Sequence, residues 1–227
     1  MKTQRRKAPI FAIDRLQLGT DGKGITTLVC FMGCPLRCAY CLNVQCHDED
    51  FELDGNTPRK GVMLLTPQEL YDHVKIDNIY FQATEGGICF GGGEPMMQAR
   101  FIKEFSEICG KKWKITLETS LYGASYNTIH MLSEVVDQWI VDVKDMNSSI
   151  YLLYTGKRHY LLQSLECLRI LNLIDNVHMK VPLIPDYNTP KDVERSIREL
   201  KEFGFNYIER TRYIKRLSKY PPNTEKP

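Results

Sequence analysis

Residues 25–41 read ITTLVCFMGCPLRCAYC, an apolar and β-branched run that is followed directly by three cysteines. The composition of Ile25–Phe31 predicts a buried strand. Cys34, Cys38 and Cys41 follow it with the spacing C-x3-C-x2-C. Three thiolates can hold a four-iron cluster and leave one iron without a protein ligand. An open coordination position is typical of reactive metal sites, a rule best documented for zinc. The stretch therefore predicts a reactive metal centre at the end of a strand.

A structural zinc site is the main alternative for these cysteines. Such sites generally combine two closely spaced pairs of ligands, and no second pair follows in this chain. The remaining cysteines, Cys89, Cys109 and Cys167, are single and lie in apolar segments, and Cys46 is a candidate fourth ligand. We therefore favour an iron–sulfur centre over zinc, and three cysteine ligands over four.

The composition is that of a globular protein without a strongly charged partner. The 227 residues suffice for one domain with a substantial core. The 30 basic and 28 acidic side chains give a formal net charge of +2, which argues against nucleic acid or a membrane as the main partner. No apolar segment has the length of a membrane span, and no apolar h-region follows the basic first residues. We therefore expect a cytoplasmic protein with reduced cysteines.

Strand and helix patterns alternate along the chain. Capping boxes at residues 66–69 and 189–192 predict the starts of two helices. The predicted strands cover residues 25–31, 87–90, 114–118, 139–143, 177–184 and 207–209, and the predicted helices cover 66–75, 99–109, 127–135, 160–171 and 190–203. Six βα units in succession predict an α/β fold in which a parallel sheet carries helices on its outside.

Polar and glycine residues lie where several of these strands end. Residues 91–95, Gly-Gly-Gly-Glu-Pro, follow the second predicted strand, Glu118 ends the third, and Asp142 and Lys144 end the fourth. Catalytic groups of such folds lie at the carboxyl ends of the strands. Lys180 lies within the fifth strand, and we expect a bend to bring it to the same place. The alternatives are an ordinary turn at residues 91–95 and a surface ion pair between Asp142 and Lys144.

Taken together, these motifs resemble a known family. The cysteine motif with Tyr40 before its last member, followed by Gly92-Gly93-Glu94-Pro95, is similar to the radical S-adenosylmethionine (SAM) superfamily. Leu117-Glu118-Thr119-Ser120, residues 141–147 (VDVKDMN) and residues 180–185 extend the similarity. Their order resembles the activating enzymes of glycyl radical enzymes, of the pyruvate formate-lyase activating type, over about residues 20–205. The resemblance implies a partial (βα)6 TIM-like barrel with parallel strands over residues 1–210, with the cluster loop after the first strand. Residues 211–227 then form a basic, proline-containing tail.

The resemblance also implies ligands for two cofactors. Cys34, Cys38 and Cys41 would hold one [4Fe-4S] cluster, whose open iron binds the amino and carboxylate groups of SAM. The other residues implied in cofactor binding are Tyr40 near the adenine, Asn43 at the adenosine, Gly92, Gly93 and Glu94 at the methionine ammonium, Lys144 at its carboxylate, and Glu118, Asp142 and Lys180.

Glu118, Asp142 and Lys180 correspond to positions of special function in the activating enzymes. Glu118-Thr119 stands where the activating enzymes have Asp-Thr, and with Asp142 it corresponds to a monovalent cation site. Lys180 stands where they have an arginine, and an ammonium cannot make the bidentate contact of a guanidinium. Leu42 replaces the histidine that usually follows the last cysteine, and the final βα segment of the family is expected to be missing.

The activity implied by the resemblance is reductive cleavage of SAM to a 5′-deoxyadenosyl radical, which removes a hydrogen atom from a glycine of a partner glycyl radical enzyme. A flavodoxin or ferredoxin would supply the electron, under anaerobic conditions. One alternative is a small radical SAM enzyme that acts on a small molecule or peptide, similar to 7-carboxy-7-deazaguanine synthase. The other is a noncatalytic metal-binding module.

Overall fold

A computed structural model describes residues 6–47 and 61–213, in which eight strands form one sheet with helices packed against it. The strands are β1 (Ala8–Leu18), β2 (Ile25–Phe31), β3 (Met63–Leu65), β4 (Gly87–Gly92), β5 (Lys114–Thr119), β6 (Gln138–Asp142), β7 (Val177–Leu183) and β8 (Ile208–Arg212). The α-helices are α1 (Pro67–Val74), α2 (Asn78–Thr84), α3 (Ala99–Cys109), α4 (Tyr126–Ser133), α5 (Ser148–Thr155), α6 (Leu161–Ile170) and α7 (Pro190–Glu202).

The sheet is mostly parallel and does not close. Its order is β3-β1-β2-β4-β5-β6-β7-β8, and the two outer strands, β3 and β8, do not pair with each other in the described part of the chain. The six strands from β2 to β8 in this order run parallel, whereas β1 is antiparallel to both β2 and β3. The predicted α/β fold with six parallel strands in an unclosed barrel is therefore confirmed. The cluster loop follows β2, the first of the parallel strands, and β1 before it was not predicted.

The two faces of the sheet have different environments. Along β7, Met179 and Val181 belong to the hydrophobic core, whereas His178 and Lys180 line a cavity of about 890 Å³. Because successive side chains of a strand point to opposite faces, one face carries apolar residues and the other polar ones. A closed barrel fills its interior with branched apolar side chains. The polar inner face of this sheet instead leaves room for water or a ligand.

A cluster of four phenylalanine rings packs β2 and β4 against α3. The ring of Phe90 in β4 stacks on Phe31 of β2, with centroids 5.4 Å apart, and meets Phe105 of α3 edge-on at 5.4 Å. Phe101 contacts Phe31 edge-on at 5.7 Å, and all four rings are fully buried. These contacts fix the strand that leads into residues 91–95.

Both predicted capping boxes are present at helix starts. Thr66 and Glu69 cap α1, and Thr189 and Asp192 cap α7, each with proline at the start of the helix. Strand β8 continues through Arg212, so the first residues of the predicted tail belong to the sheet, and residues 214–227 lie outside the described part. Among the described residues, no helix has the length and apolar character required to cross a membrane.

Replacing Phe90 by alanine tests the aromatic cluster. We expect Phe90→Ala to lower the free energy of unfolding by about 3–5 kcal/mol, because it leaves a cavity between β4 and α3. Chemical denaturation of the purified protein measures the change. Phe90→Leu, which keeps most of the volume, serves as the control and should lose clearly less. An equal loss in the two variants would contradict the packing argument.

Candidate functional site

Backbone hydrogen bonds fix the loop that carries the three cysteines. The amide of Arg37 donates to the carbonyl of Thr155 at 2.9 Å, and the amide of Ala39 donates to the carbonyl of Tyr154 at 3.0 Å. Both acceptors lie in the last turn of α5, whose final carbonyls lack partners within the helix. The C-terminal carbonyls of α5 therefore hold the cysteine loop in position through two backbone hydrogen bonds.

All of the residues implied in cofactor binding line one cavity of about 350 Å³ at the carboxyl ends of the parallel strands. The structure thus brings together side chains that the sequence places on five separate segments. They are Cys34, Cys38, Tyr40, Cys41, Asn43, Gly92, Gly93, Glu94, Glu118, Asp142, Lys144 and Lys180.

The thiols of Cys34, Cys38 and Cys41 are half-buried. Burial raises the pKa of Cys34 to about 12 and that of Cys38 to about 11. Both are therefore neutral thiols at pH 7 without a metal. A bound cation reverses this preference, because coordination removes the thiol proton. Three thiols grouped beside one cavity suit the binding of a metal centre.

Two glycines allow the backbone of β4 to approach the cysteine loop. Gly92 has φ +85°, and a Cβ atom there would lie 2.6 Å from the Cα of Cys30. A Cβ atom on Gly93 would lie 2.1 Å from the carbonyl oxygen of Gly33. Neither position can hold a larger residue without moving the backbone. Asn43 donates from Nδ2 to the carbonyl of Gly92 at 3.0 Å, so the loop after the cysteines is joined to the same turn.

Glu94 is buried and its carboxylate is already bonded to protein groups. One oxygen accepts from the Thr119 hydroxyl and from the Met96 amide at 3.2 Å. The other accepts from the amide of Ser120 at 3.0 Å and from its hydroxyl at 2.6 Å. Burial raises the pKa of Glu94 although these bonds oppose the rise. Its observed function is to tie the turn after β4 to the end of β5.

Asp142 and Lys144 form an ion pair inside the cavity rather than on the surface. Lys144 has φ +63°, an unusual backbone conformation for this residue type. The Tyr213 hydroxyl donates to Asp142 Oδ2 at 2.9 Å, and Lys144 Nζ donates to that hydroxyl at 3.0 Å. Burial by itself lowers the pKa of Lys144, but Asp142 and Tyr213 outweigh it, so the pKa lies well above the ordinary value.

One buried oxygen of this group lacks a partner. Asp142 Oδ1 has no hydrogen-bond partner within the described part of the chain. A buried, unsatisfied carboxylate oxygen is costly, and here it borders the cavity. The position fits a cationic or hydrogen-bond-donating ligand group.

Lys180 reaches the cavity without the predicted bend. It pairs directly with Asp142, the last residue of β6, so it lies level with the carboxyl end of that neighbouring strand. The expectation of a bend was therefore wrong, because the pairing register alone brings Lys180 level with the end of β6. Lys180 Nζ donates to Glu118 Oε1 at 2.9 Å, and Glu118 raises the pKa of Lys180 against the lowering effect of burial.

Two aromatic residues of the site were missed. Tyr213 follows β8 and lies beyond residues 20–205, over which the sequence resembles the activating enzymes. Tyr154 comes from α5, a helix that was not predicted. The ring of Tyr40 meets Tyr154 and Tyr187 edge-on, at 6.4 and 5.6 Å, and its hydroxyl donates to Asp186 at 2.7 Å. Tyr213 directly follows the last strand, which was the available signal for it, whereas Tyr154 lies near the end of a helix and had none.

Comparison with known proteins identifies the fold and the family. Residues 28–200 match the Radical SAM superfamily. The chain is 28% identical over 220 residues to a pyruvate formate-lyase-activating enzyme from Clostridium pasteurianum, which covers 95% of this chain and 82% of that enzyme. It is 26% identical over 244 residues to a choline trimethylamine-lyase activating enzyme from Oleidesulfovibrio alaskensis, covering 86% and 78%.

A solved structure shares the architecture. The fold matches SuiB of Streptococcus suis bound to S-adenosylmethionine with a TM-score of 0.57 and 14% sequence identity, over 82% of this chain and 40% of SuiB. This likeness concerns the fold alone. The family match covers most of the chain, from the second half of β2 through the cysteine loop and each later strand to β7, and on that basis the chain belongs to the Radical SAM superfamily.

Proposed function

We propose that this radical SAM enzyme is an activating enzyme that takes a hydrogen atom from a glycine of a partner glycyl radical enzyme. The observation that carries the proposal is the single cavity shared by the three cysteines, the glycine turn and the Asp142–Lys144 pair. The similarity to two activating enzymes over most of the chain supports the choice of substrate class.

The cysteine loop fits an iron–sulfur cluster with an open iron. Cys34, Cys38 and Cys41 are its proposed ligands, because they border the cavity on a loop fixed by α5. When bound, the cluster and SAM together supply one-electron reductive cleavage of the sulfonium and abstraction of a hydrogen atom. The protein binds and orients both groups and limits the access of water.

The opposite wall of the cavity fits the methionine end of SAM. Carbonyl groups at Gly92 and Gly93 suit its ammonium, because these residues allow close approach of the backbone. Glu94 contributes mainly by holding that turn, since both of its oxygens accept bonds from β5 and its own turn. Lys144, fixed by Asp142 and Tyr213, is the proposed contact of the carboxylate.

The adenosine end is assigned to the aromatic side of the cavity. Tyr40, held by Asp186, is the proposed contact of the adenine, and Asn43 that of the adenosine. Asp142 Oδ1 is the best candidate for a monovalent cation, because Glu118 already pairs with the ammonium of Lys180. We propose a flavodoxin or ferredoxin as the electron donor.

Removing one cysteine tests the cluster ligands. After anaerobic reconstitution with iron and sulfide, we expect Cys38→Ala to lose the cluster and with it the dithionite-dependent formation of 5′-deoxyadenosine. Cys109→Ala is the matched control, because Cys109 is buried in α3 away from the cavity. A Cys38→Ala protein that keeps its four irons and its activity would reject the ligand assignment.

Replacing Lys144 tests the binding of the methionine carboxylate. A hydrogen bond to a charged group contributes about 1.5–3 kcal/mol, so Lys144→Gln should weaken SAM binding about tenfold or more. Isothermal titration of the reconstituted protein measures the affinity. Lys114→Gln is the control, since Lys114 pairs with Asp137 at the other end of the strands. Unchanged affinity in Lys144→Gln would exclude the proposed contact.

Detection of a glycyl radical on a partner enzyme tests the proposed substrate class. The reconstituted enzyme is mixed anaerobically with SAM, a reductant and either pyruvate formate-lyase or choline trimethylamine-lyase. We expect a glycyl radical signal in the electron paramagnetic resonance (EPR) spectrum of one of them. Formation of 5′-deoxyadenosine without that signal in either mixture would count against an activating enzyme of these two types and favour a small-molecule or peptide substrate.

A further inference from the structure

Two residues beyond the C-x3-C-x2-C motif lie directly beside its last cysteine. A short 3-10 turn, Val44–His47, brings Cys46 and His47 back to Cys41. The sulfur atoms of the two cysteines and a ring nitrogen of His47 all lie within 4.8 Å of one another. Such a group could bind a metal ion through all three side chains, or two of the side chains could donate hydrogen bonds to the sulfur of the third.

The backbone fixes the turn in this position. The amide of Cys46 donates to the carbonyl of Asn43 at 2.9 Å, and the carbonyl of Cys46 accepts from the amide of Gly33, also at 2.9 Å. Gly33 directly precedes Cys34, and Cys46 is only 2% exposed. The position of the Cys46 thiol is therefore set together with that of the cysteine loop.

The contact with Arg37 decides the function of His47. Arg37 Nη1 lies 2.9 Å from His47 Nδ1. A guanidinium has only donors, so Nδ1 must be the acceptor. A neutral imidazole with an accepting Nδ1 carries its proton on Nε2. A protonated nitrogen cannot bind a metal but can donate to sulfur, so this geometry favours a donor over a ligand.

Cys46 fits the same interpretation. A thiol is a weak donor, and the Cys41 sulfur lies within 4.8 Å of the Cys46 sulfur. The side chains of Cys46 and His47 both form hydrogen bonds with the Cys41 sulfur.

We propose that Cys46 and His47 are positioning residues that donate hydrogen bonds to the sulfur of Cys41 and thereby raise the reduction potential of the cluster. The inference rests on the proposed function, in which Cys41 is a cluster ligand. Reduction adds negative charge to the cluster, and donors aimed at a ligand sulfur stabilise that charge. Arg37 acts one step further away, because it orients the His47 ring.

The midpoint potential of the reconstituted holoenzyme tests the proposal, measured by an EPR-monitored redox titration. We expect His47→Phe and Cys46→Ala each to shift it to a more negative value, and the double variant to shift it further. His47→Gln and Cys46→Ser keep a donor and should remain closer to the parent. His130→Phe is the matched control, because His130 lies on α4 and stacks on Tyr126.

The iron content of each variant distinguishes the loss of a cluster ligand from the loss of a hydrogen-bond donor. All variants should keep four irons per chain and an unchanged SAM affinity. An unchanged potential in both His47→Phe and Cys46→Ala would overturn the inference and leave the proposed function intact. Loss of iron in Cys46→Ala, with Cys46→Ser equally depleted, would overturn it by showing that Cys46 is a ligand. Failure of the parent protein to assemble a cluster would overturn the proposed function as well.

Discussion

The pairing of β2 with β4 continues beyond the ends of the two strands. The amide of Gly93 donates to the carbonyl of Phe31 at 2.9 Å, and the amide of Glu94 donates to that of Gly33 at 2.8 Å. These bonds hold the segment before Cys34 in register with the glycine turn. Both halves of the cofactor site therefore depend on one continuous ladder, and the missing side chains at residues 92 and 93 permit it. A shift by one residue would separate the cysteines from the turn.

Four charged side chains in the cavity form two ion pairs. Lys144 is matched with Asp142, and Lys180 with Glu118. Burying an unpaired charge would cost several kcal/mol, so the pairs allow ionised groups at the ends of strands that also support a hydrophobic core. Tyr213 and the unusual φ of Lys144 keep the first pair inside the cavity. A strained backbone at such a position is typical of functional sites.

The sequence was sufficient to predict the parallel part of the fold, because its strands are apolar runs and two of its helices begin with capping boxes. β1 was missed although Ala8 and Ile10 alternate with more exposed residues, since register shifts and a positive φ at Leu16 interrupt the alternation further on. The sequence motifs predicted which residues line the site, but they did not predict the hydrogen bonds and ion pairs between those residues. That Glu94 is bonded to Thr119 and Ser120, and Lys180 to Glu118, depends on the stagger of strands, which a linear sequence does not display.

A sheet that does not close keeps two exposed edges, and an exposed edge can recruit strands from other molecules. In the described part of the chain, β8 pairs only with β7. Glu209, Arg210 and Arg212 on this strand are exposed and charged. Bringing two such edges together would place these charges against each other and strip them of water. Within the described part of the chain, the charged side chains of β8 thus disfavour edge-to-edge pairing of two copies.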